Sequence, residues 1–343
     1  MSYTVIVQPS GKQFTVDTDQ FILEAGLKQG VVLPYGCKNG ACGSCKAKLI
    51  SGSIEQANHQ SNALSVQEAA NGFILTCCAT MTSDITIESR VVAAAGDIPV
   101  KKLPCRIAAL NKVSPDVMVV KLQLPASEKL QYLAGQYIEL MLKDGSRRAY
   151  SMACAPHLAD QVELHVRHML GGKFTDPLFG AAQPIIKEKD ILRFEGPLGT
   201  FFLREDSNKP IVLVASGTGF APIKALVEYA QFKSVTRPMV LYWGGRRPAD
   251  LYMDALCKEW RSAMPSFTYI PVISEALPED SWAGRTGFVH RAVMADLPDL
   301  SGSQVYACGA PIMVDSAQRD FISLCGLPAD EFYADSFTSA ADW

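Results

Sequence analysis

Several signatures are missing from this sequence, and each absence closes a class of function. Only five histidines occur in 343 residues, and His59, His157, His165, His168 and His290 fall in no metal-binding or catalytic spacing. No nucleophile has a base placed beside it, which leaves hydrolysis without support. No stretch approaches the roughly 20 apolar residues that cross a bilayer, and the opening MSYTVIVQPSGKQF has no basic region ahead of an apolar one. A soluble cytoplasmic chain with no membrane partner is therefore expected. Lysine and arginine total 32 against 35 aspartates and glutamates, for a net charge of −3, and no basic run breaks their dispersal. Nucleic acid is a poor match to such a surface. Internal repeats and low-complexity tracts are absent as well.

What is present is size and apolar material. A chain this long with 48% hydrophobic residues can bury several cores, which indicates two or three domains. Residues 1–92 read as a small mixed sheet with one helix across it. YTVIV and QFTV flank the turn QPSGK as a hairpin, FILEAGLKQG is a helix ending at Gly30, and KAKLISG and DITIES alternate like half-buried strands. Residues 93–103 lack periodicity and read as a linker. Residues 104–206 carry six strand-like pieces, CRIAAL, VMVVKLQL, QYIELML, RAYSM, VELHV and DILRFEG, separated by Gly, Pro and Asp as in an antiparallel barrel. Over residues 207–343 strands alternate with helices, from IVLVA and APIKALVEYAQF to QVYACG and APIMVDSAQRDFISLCG. That alternation predicts a parallel, doubly wound α/β sheet with ligands beyond the carboxyl ends of its strands.

Ten cysteines occur, and three of them crowd into YGCKNGACGSCKAKL as Cys37-x4-Cys42-x2-Cys45. Disulfides are at odds with a reducing compartment. A zinc knuckle pairs Cys-x2-Cys units or Cys with His, and no histidine lies between Cys37 and Cys45. A thioredoxin-like site sets a lone Cys-x-x-Cys at a helix start, whereas Cys42-Gly-Ser-Cys45 runs into a strand. The spacing matches the plant-type [2Fe-2S] pattern with a fourth cysteine downstream. Each tetrahedral iron takes two sulfides and two thiolates, so four cysteines are required. Of the distal Cys77-Cys78 pair, Cys77 ends the apolar FILT and is the expected ligand, with Cys78 a buried bystander. Gly36, Gly40 and Gly43 let the backbone bend around the cluster.

On these residues the first segment resembles a plant-type ferredoxin, and the rest resembles the ferredoxin-NADP reductase superfamily. Together they look like the fused iron-sulfur flavoprotein reductases, over essentially the whole chain. The stretches CKNGACGSCKAKLISG, QYLAGQY, GPLGTFFLRED and GTGFAP tie it to those serving the 3-dehydrase of deoxysugar biosynthesis. Reductase components of phenol, toluene and methane monooxygenases and of benzoate dioxygenase share the layout. The resemblance implies a β-grasp ferredoxin domain, a Greek-key flavin barrel and a doubly wound nicotinamide domain, making the chain multidomain α+β and α/β.

The resemblance also implies sites. Arg148-x-Tyr150-Ser151 matches the flavin signature, with the arginine on the pyrophosphate, the tyrosine over the isoalloxazine and the serine at N5. From these residues alone an ordinary strand with an exposed arginine serves as well. Gly171, Gly172, Lys173 and Thr175 resemble a second pyrophosphate loop, which favours FAD over FMN. Cys154 stands where many relatives carry Ser or Thr. SGTGFAP is neither a Gly-x-Gly-x-x-Gly fingerprint nor a P-loop. It nonetheless sets Gly217, Thr218 and Gly219 between strand and helix, with Pro222 in the first helical turn, which suits a dinucleotide pyrophosphate. Cys308 and Gly309 match a position beside the nicotinamide ring, a buried structural thiol being the alternative. Asp335 and Phe337 match an acidic residue and an aromatic ring near the flavin. Ser151, Cys308, Asp335 and Phe337 are thus the residues expected at the reacting centre. YWGGRRPADLY resembles the NADH-using branch, with Gly244, Arg246, Asp250 and Tyr252 on the adenosine side. Arg246 and Arg247 could equally hold a 2′-phosphate, so NADH is favoured and NADPH stays open.

The implied route takes a hydride from NADH to FAD, then single electrons through the [2Fe-2S] cluster to a protein acceptor. That acceptor, a deoxysugar dehydrase or an oxygenase component, is expected to dock near the cluster loop, where Lys38 and Asn39 form the tip. A monomer is expected. The alternatives are a self-sufficient flavin or ferric reductase and, in a different class, a redox sensor or electron-storing binding module.

Overall fold

The computed structural model describes residues 2–92, 95, 98–158 and 161–337. Residues 93, 94, 96 and 97 of the expected linker lie outside the described residues, as do residues 338–343 of the third segment. The chain divides into two compact units, residues 1–99 together with those from Asp335 onward, and Val100–Ala334.

In the first unit β1 (Ser2–Gln8) and β2 (Lys12–Asp17) form the expected antiparallel hairpin, with Val5 opposite Phe14. They join β3 (Lys46–Ser51), β5 (Phe73–Leu75) and β7 (Ile85–Glu88) in a sheet ordered β2-β1-β7-β3-β5, in which β7 runs parallel to β1. Two short strands the sequence did not suggest, β4 (Ile54–Gln56) and β6 (Ala79–Met81), pair separately. Alternation puts Val5, Val7, Phe14, Val16, Ile85 and Ile87 inside. The helix Ile22–Lys28 turns Ile22, Leu23 and Ala25 inward. A second, short helix, Val66–Ala70, is capped by Ser65, and the mixed sheet with the helix Ile22–Lys28 packed on it is the β-grasp arrangement expected.

The second unit opens with β8 (Lys101–Ser114), which begins inside the span read as a linker. Leu103, Cys105 and Ile107 alternate inward there, a pattern that Pro104 and two lysines conceal in the sequence. With β9 (Val117–Gln123), β10 (Tyr137–Met141), β11 (Arg147–Ser151), β12 (Gln161–Arg167) and β13 (Ile191–Leu198) it forms a sheet ordered β11-β10-β13-β8-β9-β12. All its pairings are antiparallel. A bridge between Met152 and Leu164 joins the two edges and closes the barrel around Ile107, Val120, Leu122, Ile138 and Phe194.

The remaining strands are β14 (Ile211–Ser216), β15 (Met239–Gly245), β16 (Phe267–Ile273), β17 (Arg285–Thr286), β18 (Gln304–Gly309) and β19 (Phe332–Ser336). Their order is β17-β16-β15-β14-β18-β19, and β14 to β18 pair in parallel. Ile211–Ala215 is buried on both faces, as expected of a central parallel strand. Because β15 lies on one side of β14 and β18 on the other, the connections diverge at the carboxyl end of β14, the position where open α/β sheets take their ligands. Between β15 and β16 runs the helix Asp254–Ala263. Among the described residues no helix is long and apolar enough to cross a membrane.

Candidate functional site

The cysteine loop brings its thiols together two by two. The Cys37 N–H points at Cys42 Sγ at 3.4 Å, and the Ala41 N–H points at Cys37 Sγ at 3.4 Å. Cys45 Sγ lies 3.2 Å from Cys77 Sγ. Two pairs of thiols with backbone N–H groups aimed at the sulfurs are what a binuclear iron-sulfur centre requires, so the residues fit that group. Among the described residues no three His, Cys, Asp or Glu side chains converge as they would on a single ion. A hydrogen bond from Cys42 outweighs burial and brings the Cys37 thiol down to about 7, while the same contact pushes Cys42 up. Cys78 Sγ sits 3.3 Å from Cys77 Sγ and fills the space beneath Gly40, where a β-carbon would approach it to 2.7 Å at a φ of +81°. Lys38 is half-buried and Asn39 exposed.

On the barrel Arg148 and Tyr150 are half-buried and Ser151 is buried at the end of β11. Tyr150 meets Phe174 at 5.5 Å between ring centroids. The loop that follows β12 is tightly closed on itself. The Thr175 hydroxyl is engaged with the Met169 backbone, at 2.8 Å to its oxygen and 3.2 Å from its N–H, and a β-carbon on Gly172 would meet that hydroxyl at 2.2 Å. Thr175 therefore shapes the loop from within, whereas the expectation set it on phosphate. Gly171, at φ +78°, has open space where a side chain would project. Lys173 pairs with Asp144 at 2.7 Å. Exposed glycine backbone beside a lysine fits a dinucleotide phosphate.

The turn Gly217–Gly219 sits at the carboxyl end of β14 and leads into the helix Phe220–Phe232, with Pro222 in its first turn. Gly219 packs on β18: a β-carbon there would stand 2.1 Å from the Cys308 carbonyl oxygen. Gly309, at φ +139°, packs on Ser216 in the same way. Thr218 and Cys308 are buried. The Trp243 indole N–H donates to the Gly217 carbonyl at 3.1 Å. Arg167, which the sequence places between His165 and His168 without a site role, reaches across from β12, and its Nη1 would lie 2.8 Å from a β-carbon on Gly217. Its Nε and Nη2 are buried without a hydrogen bond of good geometry, but its charge is paired, with Asp116 Oδ2 3.0 Å from Nε and Asp250 Oδ1 3.7 Å from Nη2. A guanidinium whose Nη1 faces a glycine turn fits an anionic dinucleotide.

The residues expected on the adenosine side divide. Asp250 accepts the Arg246 and Arg247 N–H groups at 2.7 and 3.1 Å and so shapes its own loop. A β-carbon on Gly244 would meet Val289 at 2.9 Å. Arg246 is exposed, whereas Arg247 grips Asp280 through Nε at 2.8 Å and Nη2 at 2.7 Å. Tyr252 packs edge-on against Trp243 and Phe220, and its hydroxyl lies 2.9 Å from His165 Nδ1, on the barrel. Asp335 is the penultimate residue of β19 and Phe337 follows that strand, both half-buried.

Sequence reading also missed a buried polar cluster of Glu163, His165, Lys224 and Glu228. Lys224 lies 2.6 Å from Glu228 and 3.2 Å from Glu163. Burial alone would raise Glu163, but His165 and Lys224 hold it down at about 2. Burial lowers Lys224, yet the two carboxylates outweigh it and keep the ammonium above its ordinary value. Burial lowers His165 despite Glu163. The available signal was a lysine inside APIKALV, a helical stretch that is otherwise apolar.

Three family models match in this order: a 2Fe-2S iron-sulfur cluster binding domain over residues 5–82, an oxidoreductase FAD-binding domain over 104–203, and an oxidoreductase NAD-binding domain over 213–319. The chain is 43% identical to the CDP-6-deoxy-L-threo-D-glycero-4-hexulose-3-dehydrase reductase of Yersinia pseudotuberculosis, covering 98% of this chain and 99% of that one. It is 34% identical to reductase component 2 of the terephthalate 1,2-dioxygenase of Comamonas sp., covering 99% and 98%. Its fold matches the crystal structure of an Amycolatopsis cytochrome P450 reductase with a TM-score of 0.77 at 31% identity, covering 98% and 99%.

Proposed function

The chain belongs to the family of fused iron-sulfur flavoprotein reductases, and we propose from that premise that it passes electrons from NADH to a 3-dehydrase acting on a CDP-linked 6-deoxy-4-hexulose. The observation that carries the choice of acceptor is the end-to-end likeness to a reductase of that name. Cys37, Cys42, Cys45 and Cys77 hold the [2Fe-2S] cluster. Arg148, Tyr150 and Ser151 with the Gly171–Lys173 loop hold FAD, and the Gly217–Gly219 turn with Arg167 holds the dinucleotide of NADH. When bound, these groups split the two-electron hydride of NADH into single electrons for the acceptor. The chain's own part is to align them: Ser151 ends a barrel strand, the glycine turn approaches closely for want of side chains, and Arg167 sets its guanidinium beside that turn. Arg247 is committed to Asp280, which supports NADH over NADPH. A monomer that presents Lys38 and Asn39 to its acceptor completes the reading.

A second reading, service to a ring-hydroxylating oxygenase, is supported by the likeness to the terephthalate dioxygenase component. Reconstitution decides between them. The purified chain with NADH and a CDP-4-keto-6-deoxyhexose 3-dehydrase should yield the 3-deoxygenated sugar. Turnover with a terephthalate-type oxygenase and none with the dehydrase would reverse the choice.

A further inference from the structure

Lys224 is 7% exposed on the helix that follows the Gly217–Gly219 turn. An ammonium has three donors, and three acceptors surround this one: Glu228 Oε1 at 2.6 Å, the Ala153 carbonyl oxygen at 2.9 Å and Glu163 Oε1 at 3.2 Å. Glu228 spends its other oxygen on the Ala155 N–H at 3.1 Å. Glu163 also lies 3.0 Å from His165 Nε2, whose Nδ1 is 2.9 Å from the Tyr252 hydroxyl. A carboxylate only accepts, so Nε2 carries a proton toward Glu163. Burial keeps the ring neutral, and Nδ1 therefore accepts from Tyr252.

These contacts fall at one seam. Ala153, Ala155, Glu163 and His165 belong to the barrel, and Lys224, Glu228 and Tyr252 to the nucleotide-binding sheet. Lys224 to Ala153, Lys224 to Glu163, Glu228 to Ala155 and Tyr252 to His165 all cross it. Apolar packing would also hold two surfaces together, but it lets them slide. Directional bonds from one buried cation to fixed acceptors define a register, which is the better-attested use of buried charge, since stability is often gained without it. The register set here matters because Ala153 lies two residues beyond Ser151, through a buried stretch, and Lys224 lies five beyond Gly219.

We propose that this cluster, centred on Lys224, locks the two cofactor-binding lobes in register, and that Lys224 is a positioning residue holding Ser151 and the Gly217–Gly219 turn at the separation that hydride transfer needs. The proposal rests on the FAD and NADH reading above.

The test compares the wild type with Lys224→Met and with the neutral triple variant Lys224→Met/Glu163→Gln/Glu228→Gln. The single change strands two buried carboxylates and can cost the fold, whereas the triple variant keeps side-chain volume without charge. The triple variant should keep its FAD and hold its NADH half-saturation within about twofold. Its limiting rate of flavin bleaching should fall at least tenfold, within the roughly hundredfold that a displacement of about 1 Å can cost, and its long-wavelength nicotinamide-flavin charge-transfer absorbance should weaken. A wild-type limiting rate and charge-transfer band in the triple variant would overturn the proposal. So would loss of FAD from it at unchanged secondary structure, which would make the cluster a support of the barrel alone. A wild-type protein that purifies without flavin, or whose flavin NADH does not bleach, would sink the functional reading before any variant is compared.

Discussion

Gly219 and Cys308 are in backbone contact: a β-carbon on the glycine would stand 2.1 Å from the cysteine's carbonyl oxygen. The glycine turn after β14 thus rests directly on the end of β18, and their approach leaves no room for a methyl group. Gly219 has an ordinary helical φ of −58°, so the demand here is for space. Gly219→Ala should lift the turn away from β18 at a cost of about 1–3 kcal/mol, as overpacking does. NADH half-saturation should rise at least tenfold while flavin and cluster absorption persist. Unchanged NADH affinity in a folded Ala variant would contradict the placement of the dinucleotide at this turn.

The cysteines make separable predictions. Cys45 and Cys77 approach to 3.2 Å from positions 32 residues apart, while Cys78 packs beneath Gly40. Cys77→Ser should lose about half the iron or more, since each iron draws two protein thiolates. Cys78→Ser should retain iron and visible absorption, with at most a modest loss of stability. Iron analysis of the two proteins decides; loss from Cys78→Ser with retention in Cys77→Ser would exchange their roles.

Cluster loss should also sort the electron order. In Cys45→Ser, reduction of ferricyanide by NADH should continue, because that acceptor can draw on the flavin lobe, while delivery to the protein acceptor collapses. Equal loss of both activities would place the cluster ahead of the flavin.

Local features were the legible ones. The cysteine spacing, the hairpin around QPSGK and the alternation of strands and helices after residue 207 all express themselves within short windows, and the structure follows them. The passage into the barrel was not legible, because Pro104 and the lysines of β8 hide an inward row of Leu103, Cys105 and Ile107. Tyr252 was legible as an adenosine-side candidate but not as a partner of His165, 87 residues away. Thr175 shows a similar limit: its side chain turns back on Met169, and nothing in GGKFT distinguishes that from a phosphate contact. What sequence patterns lacked in each case was the identity of a distant or backward-facing partner.

The Arg247–Asp280 pair bears on nucleotide choice. Two parallel bonds at 2.8 and 2.7 Å commit the guanidinium to Asp280. Asp280→Asn should release it and shift the ratio of NADPH to NADH efficiency upward by about tenfold, the effect of about 1.4 kcal/mol. Steady-state kinetics with both nucleotides measure this directly. No change in the ratio would remove Arg247 from the account of selectivity.

Acid stability follows from the seam between barrel and nucleotide sheet. Glu163 is half-buried, with an ordinary value of 4.5 brought to about 2 by His165 and Lys224. A depressed carboxyl contributes stability that is fully present above about 4.5 and lost as the pH falls toward 2, on the order of 3 kcal/mol for such a shift. His165 is also depressed, below its ordinary 6.5. Unfolding lets it take up a proton that the buried ring refuses, so its contribution is present above 6.5 and declines below that. Both groups therefore act in the same direction, and melting temperature should fall from pH 6.5 downward, more steeply below about 4.5. Glu163→Gln should lower the melting temperature at pH 7, because Lys224 loses a carboxylate, and should flatten the curve below 4.5. Melts of the two proteins from pH 7 to pH 3 that ran parallel throughout would refute the assignment.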